Sequence, residues 1–181
     1  MSDAFHKLTL ETHKLKWEDD LPFSLDSNDI FFQDDALDEI EHVFLEPNLI
    51  HNRILEDTNL VIGEIGFGFG LNFLSTCKSW VKNSNNGLLT FFSIDHKVPT
   101  KTEIKRLFKK FEILSDLEDE FFESFDPIHN GINKFFFSNW NVELILYVGD
   151  VIDAIRSLNG GFIMDAWYLD GFDPKANPVM W

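Results

Sequence analysis

Cysteine is nearly absent from this sequence of 181 residues: Cys77 stands alone. A single thiol excludes an intramolecular disulfide and a four-cysteine zinc site. Bases are scarce, with 15 against 31 acids and a formal net charge of −16. That balance argues against a general nucleic-acid coat protein, because phosphates would be repelled. It leaves room for a local basic patch. No apolar run reaches about 18 residues, so no membrane-spanning helix is expected. Asp3, Lys7, Glu11, Lys14 and Lys16 crowd the start with no apolar stretch between them. No secretory signal is expected from that pattern, and a cytoplasmic location follows. The six histidines show no metal-ligand spacing, and no metal is expected.

What is present is a globular composition, 44% hydrophobic and 25% charged, with 20 phenylalanines. The length suits one domain, at most one and a half. Charge is unevenly spread. Residues 1–60 hold 15 acids and four bases, whereas 96–111 hold six bases and one acid. Glu112 to Asp126 then carry seven acids and no base.

The polar–apolar alternation of residues 6–10 and 14–17 predicts short strands joined by a turn. Asp29–Phe32 follow, and then an acidic stretch over 36–41 that suits a short helix. The pattern changes near Leu60. Residues 61–65, 88–94, 142–148 and 166–169 read as four buried strands. Between them lie apolar stripes near helical spacing, at Leu71, Leu74, Cys77 and Val81, at Ile104, Leu107, Phe108 and Phe111, and at Ile152, Ile155 and Leu158. Alternating strands and helices predict an α/β fold with a parallel sheet, whose ligands bind outside the carboxyl ends of the strands. We divide the chain into a β-rich extension over 1–57 and an α/β domain over 58–181.

The chemistry gathers at those strand ends. The first strand runs into Glu64-Ile65-Gly66-Phe67-Gly68-Phe69-Gly70. A dinucleotide fingerprint needs a third glycine at position 71, and Leu71 stands there, which sets a nicotinamide enzyme aside. The G-x-G-x-G spacing behind an acid instead resembles the first motif of S-adenosylmethionine (SAM)-dependent methyltransferases. The second strand ends at Asp95, where a carboxylate can accept from ribose hydroxyls or simply face solvent. The third ends at Asp150, which can accept from an adenine amine, cap the next helix, or do both. The fourth ends at Asp170-Gly171-Phe172-Asp173-Pro174. An acid beside an aromatic there fits amine methylation, since the carboxylate can take a proton and the ring can face a cation. It also fits a plain turn.

Two strings make the likeness specific. Gly66–Leu74, and Asp165–Phe172 with Pro174, Asn177, Pro178 and Trp181, resemble the methyltransferase domain of the bifunctional tRNA-modifying MnmC proteins. Asp29–Phe32 and Val43–Asn48 resemble that family's opening segment. The likeness implies a Rossmann-like SAM-dependent methyltransferase sheet. It implies methylation of the amine of 5-aminomethyl-(2-thio)uridine at the tRNA wobble position, giving the 5-methylaminomethyl form. By the same likeness Glu64, Gly66, Gly68 and Gly70 hold the methionine end of SAM, Asp95 the ribose and Asp150 the adenine. Asp170 holds the substrate amine and Phe172 shapes the pocket, with Phe31 and Phe32 near the substrate. Lys101, Lys105 and Lys109 share one helix face and could meet tRNA phosphates, or form a solvated face. Neither metal nor flavin is implied within this chain. A flavin-dependent oxidoreductase domain or protein is implied as a partner in the same pathway.

Three departures stand out. Phe69 replaces the family's usual threonine and is expected to crowd the cofactor. Phe31-Phe32 replaces the usual Tyr-Phe. The sequence ends at Trp181, before the strands that usually complete such a sheet, so the domain reads as truncated. Two other readings stay open: a non-catalytic remnant or partner-completed binding module, and a small-molecule amine N-methyltransferase.

Overall fold

Isoleucine, valine and phenylalanine cluster into short runs after Leu60, and those runs become the strands of a central sheet. The computed structural model describes residues 10–56, 59–83, 87–125, 127–157 and 163–175. Strands β1 (Leu15–Glu18), β2 (Leu21–Ser24) and β3 (Asp29–Ile30) form a small antiparallel sheet. Helix α1 (Ala36–Ile40), a π-helical turn over Glu41–Leu45 and helix α2 (Ile50–Glu56) follow. Strand β4 (Asn59–Ile65), helix α3 (Leu71–Asn83), strand β5 (Leu88–Asp95) and helix α4 (Lys101–Lys110) then alternate. A 3-10 turn over Glu112–Leu117 leads to helix α5 (Glu118–Ser124) and strand β6 (Gly131–Phe137). Strand β7 (Val142–Val148), helix α6 (Val151–Ser157) and strand β8 (Ala166–Leu169) complete the described elements.

The main sheet has the order β6-β7-β5-β4-β8. Four strands are parallel, and β6 runs antiparallel to β7 at one edge. The chain builds outward from β4 through β5 to β7, then crosses back to place β8 on the other side of β4. This reversal opens a crevice beside the carboxyl end of β4. Register lines up the strand ends, with Ile65 opposite both Ile94 and Leu169, and Asp95 opposite Val148.

The helices were anticipated with local differences. Trp80, fully buried, takes the place on α3 assigned to Val81, which is exposed. Ile152 and Ile155 of α6 are half-exposed, and Ala154 is the residue buried there. Leu158, residues 6–9 and most of the turn over 83–87 lie outside the described residues. Strands β2 and β6, the turn over Glu41–Leu45, and helices α2 and α5 were not anticipated. The acidic run over 112–126 conceals α5, because its apolar Phe121 and Phe125 are outnumbered in sequence. Those two rings stack at 4.5 Å, and Phe121 also stacks on Phe137 of β6.

The small sheet is held on the main domain by charge as well as packing. Asp20 accepts from Arg106 at 2.8 Å, Asp26 pairs with Lys97 and Asp34 with Lys110. The Arg106 guanidinium also lies 3.7 Å from the Trp17 ring centre. Half of the basic segment is therefore spent on the acidic N-terminal region.

Candidate active site

Gly66 turns the chain out of β4 at φ +97, and a Cβ there would sit 1.9 Å from the Asp170 carbonyl oxygen. Only glycine can let the β4 and β8 ends approach this closely. Gly70 repeats the requirement at φ +78, where a Cβ would meet the Phe67 ring at 2.8 Å. The Gly66 amide is already bonded to the Ile94 carbonyl, and the Asp170 amide to that of Ile65. The turn is thus fixed by its neighbours before any ligand arrives.

Around it lies a cavity lined in part by Gly66, Gly68, Asn72, Asp95, Asp170 and Phe172. Asp95 accepts from the Gly68 amide at 2.7 Å and the Lys97 amide at 3.2 Å. Burial pushes its carboxyl up, against the pull of those amides and of His13. Glu64, fully buried beneath the turn, accepts a short hydrogen bond from the Ser93 hydroxyl. Burial first, and the charges of Asp170 and Asp95 second, push Glu64 up to about 8. Asp170 accepts from the Asn72 side-chain amide at 2.7 Å. It keeps solvent access, yet the protein packed about it and the charges of Glu39 and Asp95 push it up to about 6.

Two acceptors stay unused. Glu64 Oε1 and Asn72 Oδ1 are buried without a hydrogen-bond partner among the described residues. Buried acceptors are normally satisfied, so a pair of orphans beside a glycine turn calls for a donor from a ligand. An ammonium group meets that demand once Glu64 gives up the proton that burial lets it keep near neutral pH, and Asn72 already lies within hydrogen-bonding reach of Glu64. The cradle therefore fits the methionine end of SAM, and Asp95 at the neighbouring strand end fits a ribose.

Phe31, Phe32, Phe69 and Phe172 also line this cavity. The Phe69 ring packs edge-on against Trp17, Phe31 and Phe32 at 5.8, 5.1 and 5.4 Å. It anchors the small sheet to the glycine turn. Phe172 meets Phe31 at 5.0 Å and the buried His13 at 6.1 Å. Asp29 carries this arrangement across the chain, since its Oδ2 accepts from the Asp173 amide at 3.0 Å.

Asp150 is placed differently. It caps α6, its Oδ1 accepting from the Ile152 and Asp153 amides, and it does not line the cavity. Lys101 and Lys105 reach over the Phe122 ring at 5.5 and 5.3 Å, and Lys109 is exposed. Ala176 to Trp181, which carry the end of the second string, lie outside the described residues. Sequence reasoning missed His13, Asn72 and Glu39. For Asn72 a signal existed, a polar residue one step into an apolar helix directly after the glycine turn.

A sequence profile of S-adenosyl-L-methionine-dependent methyltransferases matches residues 111–181. The "tRNA 5-methylaminomethyl-2-thiouridine biosynthesis bifunctional protein MnmC" of Marinobacter nauticus is 33% identical over 180 residues. That of Leptospira borgpetersenii is 36% identical over 173. Over nearly its whole length the chain is thus similar to one portion of the MnmC proteins. These matches cover 95% and 92% of the chain but only 28% and 26% of those relatives, so it spans about a quarter of their length. The crystal structure of MNMC2 from Aquifex aeolicus superimposes with a TM-score of 0.65 at 20% identity, covering 94% of this chain and 53% of that one. That likeness supports the α/β methyltransferase fold. Among the described residues no helix is long and apolar enough to cross a membrane.

Proposed function

We propose that this chain methylates the primary amine of 5-aminomethyl-(2-thio)uridine at the wobble position of tRNA. The observation that carries the reading is Asp170, held by Asn72 at the mouth of a glycine-turn cavity. The profile match over residues 111–181 supports SAM as the donor, and the relatives' names support the pathway. Glu64, Gly66, Gly68, Gly70 and Asn72 would hold the methionine end of SAM, and Asp95 its ribose. Asp150 is proposed to reach the adenine with the oxygen that does not cap α6. When bound, SAM supplies an electrophilic methyl group on a sulfonium, and the departing thioether keeps the S–C electron pair.

The chain's own work is positional and protic. An aminomethyl arm arrives largely as an ammonium, which has no lone pair for attack. Asp170 takes one proton from it as a general base and then holds the neutral amine by a remaining N–H. A carboxyl raised toward neutrality is a better match for that task than one near 4. Phe31 and Phe172 wall the site and keep water from the reacting centre. Holding donor and amine in line provides the larger share of the acceleration.

Lys101, Lys105 and Lys109 are proposed to meet tRNA phosphates on a chain otherwise acidic. A flavin-dependent oxidoreductase, as a domain or a separate protein, is proposed to act in the same pathway, in the cytoplasm. The test is transfer of labelled methyl from SAM to tRNA bearing 5-aminomethyluridine, by the purified protein. Transfer that disappears with Asp170→Asn, while SAM binding persists, supports the reading. Absence of transfer by a folded, SAM-binding protein overturns it, as does transfer to small amines but not to tRNA.

A further inference from the structure

A second cavity adjoins the first, and Asp170 belongs to both. Its other walls come from β3 and the segment after it, from α1, from the Glu41–Leu45 turn and from the start of α3, among them Phe32, Gln33, Glu39, Ile40 and Phe44. Two aromatic rings there are immobilised from behind. Phe32 packs on Phe69 and Phe111, and Phe44 on Tyr168 at 5.2 Å. Ile40 completes an apolar wall. Polar groups stand at the open side, where Gln33 and Glu39 are both exposed.

Glu39 differs from three acids of the N-terminal region that pair with the basic segment. Asp20, Asp26 and Asp34 are each matched to a base of the 96–111 segment. Among the described residues Glu39 takes part in no salt bridge, and its charge acts on Asp170 instead. Two carboxylates therefore face one small cavity with no cation between them among the described residues.

We propose that this second cavity receives the acceptor nucleoside, with Glu39 gathering its ammonium arm and handing it to Asp170. The inference rests on the activity proposed above and assigns its substrate subsite. A planar pyrimidine suits the fixed aromatic walls. The Gln33 amide offers one acceptor and two donor hydrogens, which match the N3–H and O4 edge of a uracil ring. The arm at C5 then points toward the carboxylates. Glu39 carries no proton in the reaction; it selects the cation and orients it, and Asp170 remains the base.

The experiment measures equilibrium binding of 5-aminomethyluridine and of uridine to the purified protein and to Glu39→Gln, in the presence of S-adenosylhomocysteine. Glu39 is exposed, so the substitution spares the fold, and an unchanged melting curve verifies this. The wild-type protein is expected to prefer 5-aminomethyluridine about fivefold, the scale of one solvent-accessible ion pair. In Glu39→Gln that preference falls to about twofold or less, and uridine binding is unchanged. An equal preference in both proteins, or none in the wild type, overturns the assignment. The two proposals fail separately. Glu39-dependent binding in a protein that methylates no tRNA sinks the activity and leaves the subsite. Methylation with an unaltered preference in Glu39→Gln does the reverse.

Discussion

Asn72 donates its side-chain amide to Asp170 across 98 residues of sequence, at 2.7 Å. One hydrogen bond thus ties the first turn of α3 to the end of β8, and orients the carboxylate at the mouth of the cavity. A hydrogen bond to a charged group contributes about 1.5–3 kcal/mol. Asn72→Ala is expected to lower kcat/KM for tRNA methylation by about tenfold to a hundredfold. Asp170→Asn removes the base itself, and the expected loss is about a hundredfold or more. SAM affinity measured by calorimetry should stay within a few-fold in Asp170→Asn. A parallel loss of SAM binding would reassign Asp170 to the cofactor.

The base must be unprotonated to act, so the pH profile has a definite sign. With Asp170 near 6, kcat/KM falls as pH drops through about 6. Glu39, Asp95 and the buried Glu64 face it as acids, and Asn72 faces it as a donor. Removing the Glu39 charge moves the acid limb to lower pH. An unmoved limb in Glu39→Gln, read from initial rates between pH 5 and 8, would contradict the coupling.

Glu64 makes a stability prediction. Its folded-state value, about 8, lies above the ordinary 4.5 of the unfolded chain. The folded protein then holds a proton that the unfolded chain has lost, so stability decreases as pH rises from about 4.5 toward 8. Glu64→Gln keeps the shape and removes the titration. Its unfolding free energy should vary less over that range, by an amount on the order of a few kcal/mol. Denaturant melts at pH 5 and pH 8 provide the comparison.

Phe69 should matter for architecture. Phe69→Ala removes the ring that joins the small sheet to the glycine turn, at a cost of about 3–5 kcal/mol. Limited proteolysis should then cut within residues 10–35 first. Equal resistance in variant and wild type would show that the ion pairs of α4 suffice.

The two ion pairs of α4 are individually weak, because their acids, Asp20 and Asp34, are largely exposed. Arg106→Ala also loses the contact with Trp17, and about 1 kcal/mol in total is expected. Raising the salt concentration should reproduce part of this loss in the wild type and little in the variant.

The parallel sheet was legible because its strands are apolar runs ending in acids, and the glycine turn because Gly66, Gly68 and Gly70 have a steric reason. Strand β6 was not legible, since its pairing with β7 is a matter of tertiary contact. The size of Phe69 was legible, but its packing partners were not. Its ring packs on Trp17, Phe31 and Phe32 and also lines the cavity, a double position that depends on where the small sheet docks. Asp95 and Asp170 could be located in sequence at strand ends. Glu39 could not, because its meeting with Asp170 depends on where α1 docks. The basic segment looked like one patch, but the fold divides it, giving Lys97, Arg106 and Lys110 to the N-terminal acids.

The bond from the Asp173 amide to Asp29 closes a loop of 144 residues. Contacts so distant in sequence are slow to form and come after the local ones. On the ribosome, the small sheet is synthesised first but has nothing to dock against until β4, α3 and α4 have emerged. The cavity can close only once Asp173 leaves the exit tunnel. A nascent chain halted before that point would hold the glycine turn without its roof, so ligand protection should switch on late and abruptly along the length of the growing polypeptide.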